Sequence, residues 1–132
     1  MVSSISEEGK PRSAAINYVI DDDFNLFFLT KVTSKKNINI QYSNNVALTV
    51  FEEGYLPVSA QVEGIAEVID EAERKIEIQK ALMDRLWEGP YLPPILKQPG
   101  WGTALVKVAI KKVKWFRLQS DSKTVQFEYL DL

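Results

Sequence analysis

Between Leu26 and Ile40 the chain reads LFFLTKVTSKKNINI, and its hydroxyl and ammonium groups stand close together. Thr30, Ser34, Lys35 and Lys36 are residue types that can bind an anion, and their spacing suits that task. An apolar run, Leu26-Phe27-Phe28-Leu29, turns polar at Thr30, and a segment rich in hydroxyls and ammonium groups begins at Thr33. The pattern predicts a strand running into the first turn of a helix. Such a junction gathers unpaired backbone N–H groups at the positive end of a helix dipole. Anions are stabilised there, phosphate most commonly. Thr30 and Ser34 would donate hydroxyl hydrogen bonds, and Lys35 and Lys36 would supply charge. The same residues also fit a plainer role, in which Thr33 or Ser34 caps the helix and both lysines are solvated.

The rest of the composition narrows what such a site can serve. The chain has 132 residues, 45% hydrophobic and 26% charged, which suits one globular domain. Its net charge of −2 argues against a general nucleic-acid binder, since phosphate backbones need a basic footprint. No apolar run approaches the roughly 20 residues that span a bilayer, and no charged-then-apolar leader opens the sequence, so a cytoplasmic setting is expected. Cys and His are both absent. That excludes disulfides, thiolate nucleophiles, Cys-zinc sites, imidazole bases and Ser-His-Asp triads. Difficult chemistry would then fall to carboxylates, Lys, Tyr or a bound cofactor, and a cofactor needs the least from the protein. The acidic run Asp21-Asp22-Asp23 lacks the ligand spacing of a calcium loop and reads as a hairpin turn, so no metal site is expected.

The elements that must position these residues are mostly strands. Residues 1–6 are short, with Val2 and Ile5 apolar, and EEGKP (residues 7–11) is a turn. Residues 12–20 predict a second strand and residues 26–30 a third. Small residues at Ser13, Ala14 and Ala15 fit either close approach of a ligand to the backbone or tight packing against a neighbouring strand. A short helix is expected over 34–42, with Ile38 and Tyr42 sharing one face. Strands follow over 46–51 and 58–68, the second interrupted by Gly64 at a bend or bulge. A longer helix is expected from Asp70 to about residue 87, capped by Asp70. Its apolar stripe would be Ala72, Ile76, Gln79, Met83 and Leu86, with Leu82 beside it and Asp70/Arg74 and Glu71/Lys75 paired outside. Residues 88–102 hold many Pro and Gly residues and cannot be regular structure; their aromatic side chains fit a cover over a ligand or partner, or a plug for the barrel. A long strand over 103–116 slips its alternation at Lys111-Lys112, and residues 125–130 form the last. The sum is a mainly β chain with two helices, about seven strands, largely antiparallel and closed or nearly closed.

This order of motifs resembles the pyridoxamine 5′-phosphate oxidase-like superfamily of FMN-binding split β-barrels, and within it the short general-stress-protein form. The ordered pieces are EEGKP, RSAAINYVID, LFFLT, TSKKNINIQYSNNVALTVF and VSAQVEGIAEVID. "T-x-x-x-S-K-K-x-x-N-I" followed by "N-N-V-A-L-T-V-F" carries most of the likeness. The resemblance implies a single FMN-binding domain over residues 1–132 and a homodimer with FMN at the subunit interface. It places the phosphate site on Arg12, Thr30, Ser34, Lys35 and Lys36, with Leu29 among the cofactor-binding positions. Backbone contacts to the flavin ring fall on Ser13, Ala14 and Ala15, extending toward Ile16 and Asn17. A polar contact from the later strand falls on Ser59, with Gln61 as rival, and Trp101 is the position for a partner-chain contact. The family's helix before the first strand is not found in this sequence, which fits either its absence or a start that lies after it. The family's C-terminal Trp and Arg segment has none in the ending QFEYLDL, so oxidation of pyridoxamine phosphate itself is not expected.

The implied function is flavin redox chemistry on a small substrate, with no catalytic acid or base that can be named. Two alternatives stand beside it. One keeps the fold and changes the ligand to a deazaflavin, whose anionic tail would suit Lys107, Lys111, Lys112 and Lys114, or to haem, against which the missing His counts. The other is a dimeric binding or stress protein without enzymatic activity.

Overall fold

The structure, a computed structural model, describes residues 1–52, 58–86, 102–118 and 125–132. Eight strands form a single sheet: β1 (Val2–Ile5), β2 (Pro11–Ala14), β3 (Tyr18–Ile20), β4 (Asn25–Lys31), β5 (Asn45–Glu52), β6 (Val58–Ile69), β7 (Thr103–Leu118) and β8 (Val125–Asp131). Two helices, α1 (Lys35–Tyr42) and α2 (Ala72–Leu86), join them. The sheet order is β2-β1-β5-β6-β7-β4-β3, with β8 on β7, and every pairing is antiparallel. The expected split barrel with two helices is present. Among the described residues no helix is long and apolar enough to cross a membrane.

The eighth strand comes from a division. Residues 12–20 read as one strand, but they form β2 and β3, which lie at opposite ends of the strand order. Among the described residues β2 pairs only with β1 and β3 only with β4, and Ala15 to Asn17 carry the chain from one to the other. Ser13 and Ala14 lie against the neighbouring strand β1, opposite Ser3 and Val2, while among the described residues no strand pairs with the outer side of β2.

β4 explains how the core is layered. Alternate side chains leave a strand on opposite faces. Leu26 and Phe28 point into the barrel with Val2, Ile40, Leu48, Val62, Val106 and Val108. Phe27 and Leu29 point the other way, onto Ile78 and Leu82 of α2 and Leu105 of β7. A strand buried on both faces reads as a continuous apolar run, which is why residues 26–29 show no alternation. Burial of a side chain the size of Phe28 is worth about 1.5–3 kcal/mol, so β4 is firmly held just before the chain leaves it for α1.

α2 presents the expected face only in part: Leu82 and Met83 pack on the outer core layer, but Ile76 does not. Ile76 is 52% exposed, whereas Ile78 and Leu82 are buried. The seated stripe runs Arg74, Ile78, Leu82, Arg85. The Arg74 guanidinium lies 4.7 Å from the centre of the Phe27 ring, and that of Arg85 lies 4.8 Å from the Tyr18 ring. The expected Asp70/Arg74 pair is replaced. Arg74 pairs with Glu77 at 3.1 Å, and the Lys75 ammonium donates to the Thr103 carbonyl at 2.8 Å. Arg85 also donates to the Tyr18 carbonyl at 2.6 Å, tying α2 to the edge strand β3. Replacing Arg85 with Ala should lower stability by about 1 kcal/mol, read as a fall of a few degrees in the melting temperature. Arg85→Lys should recover only part of it, because an ammonium does not stack as a guanidinium does.

The β6–β7 pair carries the expected irregularity. Glu63 faces Lys112 while Gly64 faces Ile110, so Lys111 is an extra residue on β7. Both sequence signals, Gly64 and the slip at Lys111-Lys112, belong to this one bulge.

Candidate functional site

α1 begins where β4 ends, and its start is built by local hydrogen bonds. Ser34 is the N-cap, in extended conformation, and its side chain accepts from the Asn37 N–H at 3.2 Å. Thr30 Oγ1 lies 2.8 Å from Ser34 Oγ. The helix is seated by amides rather than by the face carrying Ile38 and Tyr42, which are 57% and 58% exposed. Asn37 and Asn39 are buried. The Asn39 amide donates to Ser4 Oγ at 3.2 Å, and the Asn37 amide donates to the Val32 carbonyl at 2.8 Å.

The turn of residues 6–10 brings β2 back against β1 with Ser4 opposite Arg12, so Arg12 stands beside the first turn of α1. A pocket of about 210 Å³ results, lined by Val2, Ser4, Arg12, Ser13, Ala14, Lys35 and Lys36. Its lining holds an Arg and two Lys and no carboxylate. Neither recorded salt bridge among the described residues involves Lys36, and partial burial pushes its pKa below the ordinary 10.5. Taking an ammonium out of water without an opposing charge costs free energy that an anion would return. The volume falls below the roughly 300–1,000 Å³ of a typical small-molecule pocket, so it suits the charged end of a ligand and not a whole one.

The remainder of a ligand would find the edge of β2. Ser13 and Ala15 are exposed and Ala14 half-buried. Beyond β2 the strand pairing stops, and Ala15, Ile16 and Asn17 make none of the turn and loop backbone hydrogen bonds found among the described residues. Main-chain donors and acceptors next to a cationic pocket can pair with a flat heterocycle, and small side chains let it come close.

The sequence-derived positions therefore fall into separate groups. Arg12, Ser13, Ala14, Lys35 and Lys36 meet at the pocket. Thr30 and Ser34 support the helix start beside it, and Leu29 is buried against α2, in the core layer rather than in the pocket lining. Ser59 and Gln61 are not brought to this pocket within one chain. Ser59 pairs with Phe51, while Gln61 lines a groove of about 560 Å³ on the outer face of the sheet with Thr49, Glu63, Lys112, Lys114 and Tyr129. Trp101 lies outside the described residues, as does nearly all of the Pro-rich segment. Val2 and Ser4 were not singled out from sequence. The hairpin register would have found Ser4, because a turn over residues 6–10 sets it opposite Arg12. Among the described residues no cluster of acidic side chains could hold a metal ion.

A family model described as pyridoxamine 5′-phosphate oxidase matches residues 1–115. No curated protein matches the sequence. Among solved structures, general stress protein 26 from Bacillus anthracis str. Sterne superposes with a TM-score of 0.69 at 21% identity, covering 99% of this chain and 86% of that one. A FAD-binding protein from Mesorhizobium loti gives 0.68 at 18% identity, over 89% of this chain and 85% of that one. A heme-binding protein from Mycobacterium smegmatis gives 0.73 at 10% identity, over 98% of this chain and 51% of that one. At these identities the structural likeness speaks for the fold, while the family match spans most of the sequence. The chain belongs to the pyridoxamine 5′-phosphate oxidase-like split β-barrel family.

Proposed function

We propose that this protein is a homodimeric FMN-binding flavoprotein that passes electrons to or from a small substrate. The observation that carries the reading is the pocket in which Arg12, Lys35 and Lys36 converge without a carboxylate, with Lys36 partly desolvated. These side chains would hold the FMN phosphate, and the main chain of Ser13 to Ile16 would meet the edge of the ring. The isoalloxazine supplies the redox chemistry, which fits a chain with no His and no Cys. The FAD-binding relative of the same fold supports a flavin ligand.

The dimer follows from what one chain leaves unfinished. Ser59 and Gln61 stand away from the phosphate pocket, and the sheet face that bears Gln61 also exposes Phe51 (60%) and Tyr129 (71%). Exposed aromatic groups beside a groove mark a surface that a partner covers. A second copy seated there would bring its Ser59 or Gln61, and its Trp101, to a flavin held by the first.

A deazaflavin is the second reading, favoured by Lys112 and Lys114 beside the outer groove. Glu63 and Asp131 line the same groove and offset those charges, which places FMN ahead. The test is the visible absorption spectrum after loading with FMN and desalting. A flavin spectrum at one FMN per chain is the expected result. A colourless protein would overturn the reading, and retention of a deazaflavin in its place would establish the second.

A further inference from the structure

The pocket beside α1 is small as well as cationic. Its 210 Å³ takes only the charged end of a flavin nucleotide, but it has room for a small phosphorylated molecule entire. Its three cations are not equivalent. Arg12 and Lys35 are exposed, whereas Lys36 is half-buried. A solvated guanidinium and ammonium keep their charge and can hold a phosphate. A desolvated lysine gives up its proton more readily, and burial does lower the Lys36 pKa. The neutral amine that results is a nucleophile. No carboxylate lines the pocket to pair with it or to turn an anion away. Other lysines stand differently. Lys10 lies 3.2 Å from Glu8, Lys75 donates to the Thr103 carbonyl, and Lys112 shares the outer groove with Glu63 and Asp131.

We infer that Lys36 is a site of covalent modification by acyl phosphates: Arg12 and Lys35 seat the phosphate, and Lys36 Nζ takes the acyl group. The step rests on the reading of this pocket as a phosphate site. The Nζ lone pair forms a bond to the carbonyl carbon. The bond from that carbon to the phosphate oxygen breaks, and inorganic phosphate leaves with the electron pair. The amine proton passes to the departing phosphate or to water, and no oxidant or further reactant enters. The product amide carries no charge and fills part of the pocket, so a modified chain loses its hold on FMN. Bound FMN in turn covers Lys36. Flavin loading and acylation therefore exclude each other.

The test treats the full chain with acetyl phosphate, before and after loading with FMN, and locates the acetyl groups by peptide mass spectrometry. Holding the reagent by one charge-assisted hydrogen bond corresponds to about tenfold in its local binding. Lys36 should therefore be acetylated about tenfold faster than Lys10 or Lys112, and excess inorganic phosphate or FMN should remove that lead. Arg12→Gln should slow acetylation of Lys36 by acetyl phosphate by about the same factor. Its labelling by a neutral reagent, the N-hydroxysuccinimide ester of acetic acid, should be unaffected, because that ester has no phosphate to seat. Labelling of Lys36 at the rate of Lys10 would overturn the inference, as would a lead that survives excess phosphate. Should Arg12→Gln fail to fold, protection of the wild type by phosphate still decides. The flavin reading fails separately. A chain that retains FMN but shows no preference at Lys36 loses only the modification site. One that is labelled at Lys36 and protected by phosphate, yet keeps no FMN, supports the modification site and loses only the flavin.

Discussion

Reversing the charge at Lys36 should abolish FMN retention. Lys36→Glu would place a carboxylate against the phosphate at a half-buried position, and the loss should be on the order of a thousandfold or more. Lys36→Met, which keeps the stem and removes only the charge, should cost about 10–100-fold. The ligand-free protein should respond in the opposite sense. Burial lowers the Lys36 pKa, so the folded state bears a cost for the charged form, and Lys36→Met should melt at or above the wild-type temperature. The pH dependence has the same origin. With the folded pKa below the unfolded value of about 10.5, the folded protein releases its proton first as pH rises. Between those values the unfolded chain holds more protons, so the stability of the free protein increases with pH through that window. FMN affinity should fall over the same range, because the ammonium that meets the phosphate is being lost. Titration with FMN across alkaline pH checks this, and Lys36→Met should flatten the dependence. A Lys36→Glu protein that keeps its flavin would sink the assignment of the pocket.

The second large effect is on folding. Gly64→Ala should lower stability by about 2–3 kcal/mol, the upper part of the range for overpacking a tight interior. The reason is steric. A Cβ at Gly64 would come 2.6 Å from Val108 Cγ1 and 2.8 Å from the Ala109 carbonyl oxygen. Val108 can rotate only into a filled core, and the Ala109 oxygen belongs to the strand paired with β6. The bulge at Lys111 sits at this point, so β6 and β7 cannot part here without losing pairing on both sides. Thermal melting should show a fall of roughly 10 °C. Urea unfolding should show a lower midpoint at an unchanged slope. A change below about 0.5 kcal/mol would mean that the two strands separate locally at little cost.

The residues that line the pocket and the residues that bend were easier to read than the faces that pack. Ser34 announced the α1 start because capping is a local event, and Gly64 with the Lys111-Lys112 slip announced the bulge because both break a period of two. The α2 face was misread in part, for a specific reason: Arg74 and Arg85 count as surface residues, yet their guanidinium groups lie over Phe27 and Tyr18 and complete the buried stripe. The seating of α1 was hidden in the same way, since Asn37 and Asn39 are polar by type and buried in fact. The division of residues 12–20 left no local signal at all. Neither Gly nor Pro marks Ala15 to Asn17, and the break exists because β1 captures one half and β4 the other. Pocket membership was legible for Arg12, Lys35 and Lys36. Ser59 and Gln61, expected at the same site, stand apart from it within one chain.

The seam at Ala15 to Asn17 also bears on how the protein survives in a crowded cell. β2 and β3, 4 and 3 residues long, end the main strand order, and among the described residues each has one side with no strand beside it. A free strand margin is adhesive, because it can recruit another chain by main-chain pairing. Brevity and Pro11 blunt this hazard, Pro having no N–H to offer, but they do not remove it. A heterocycle lying along Ser13 to Ile16 would occupy those groups and act as a guard on the sheet. Supply of the ligand would then govern solubility as well as chemistry, and the empty protein would be the form that clumps.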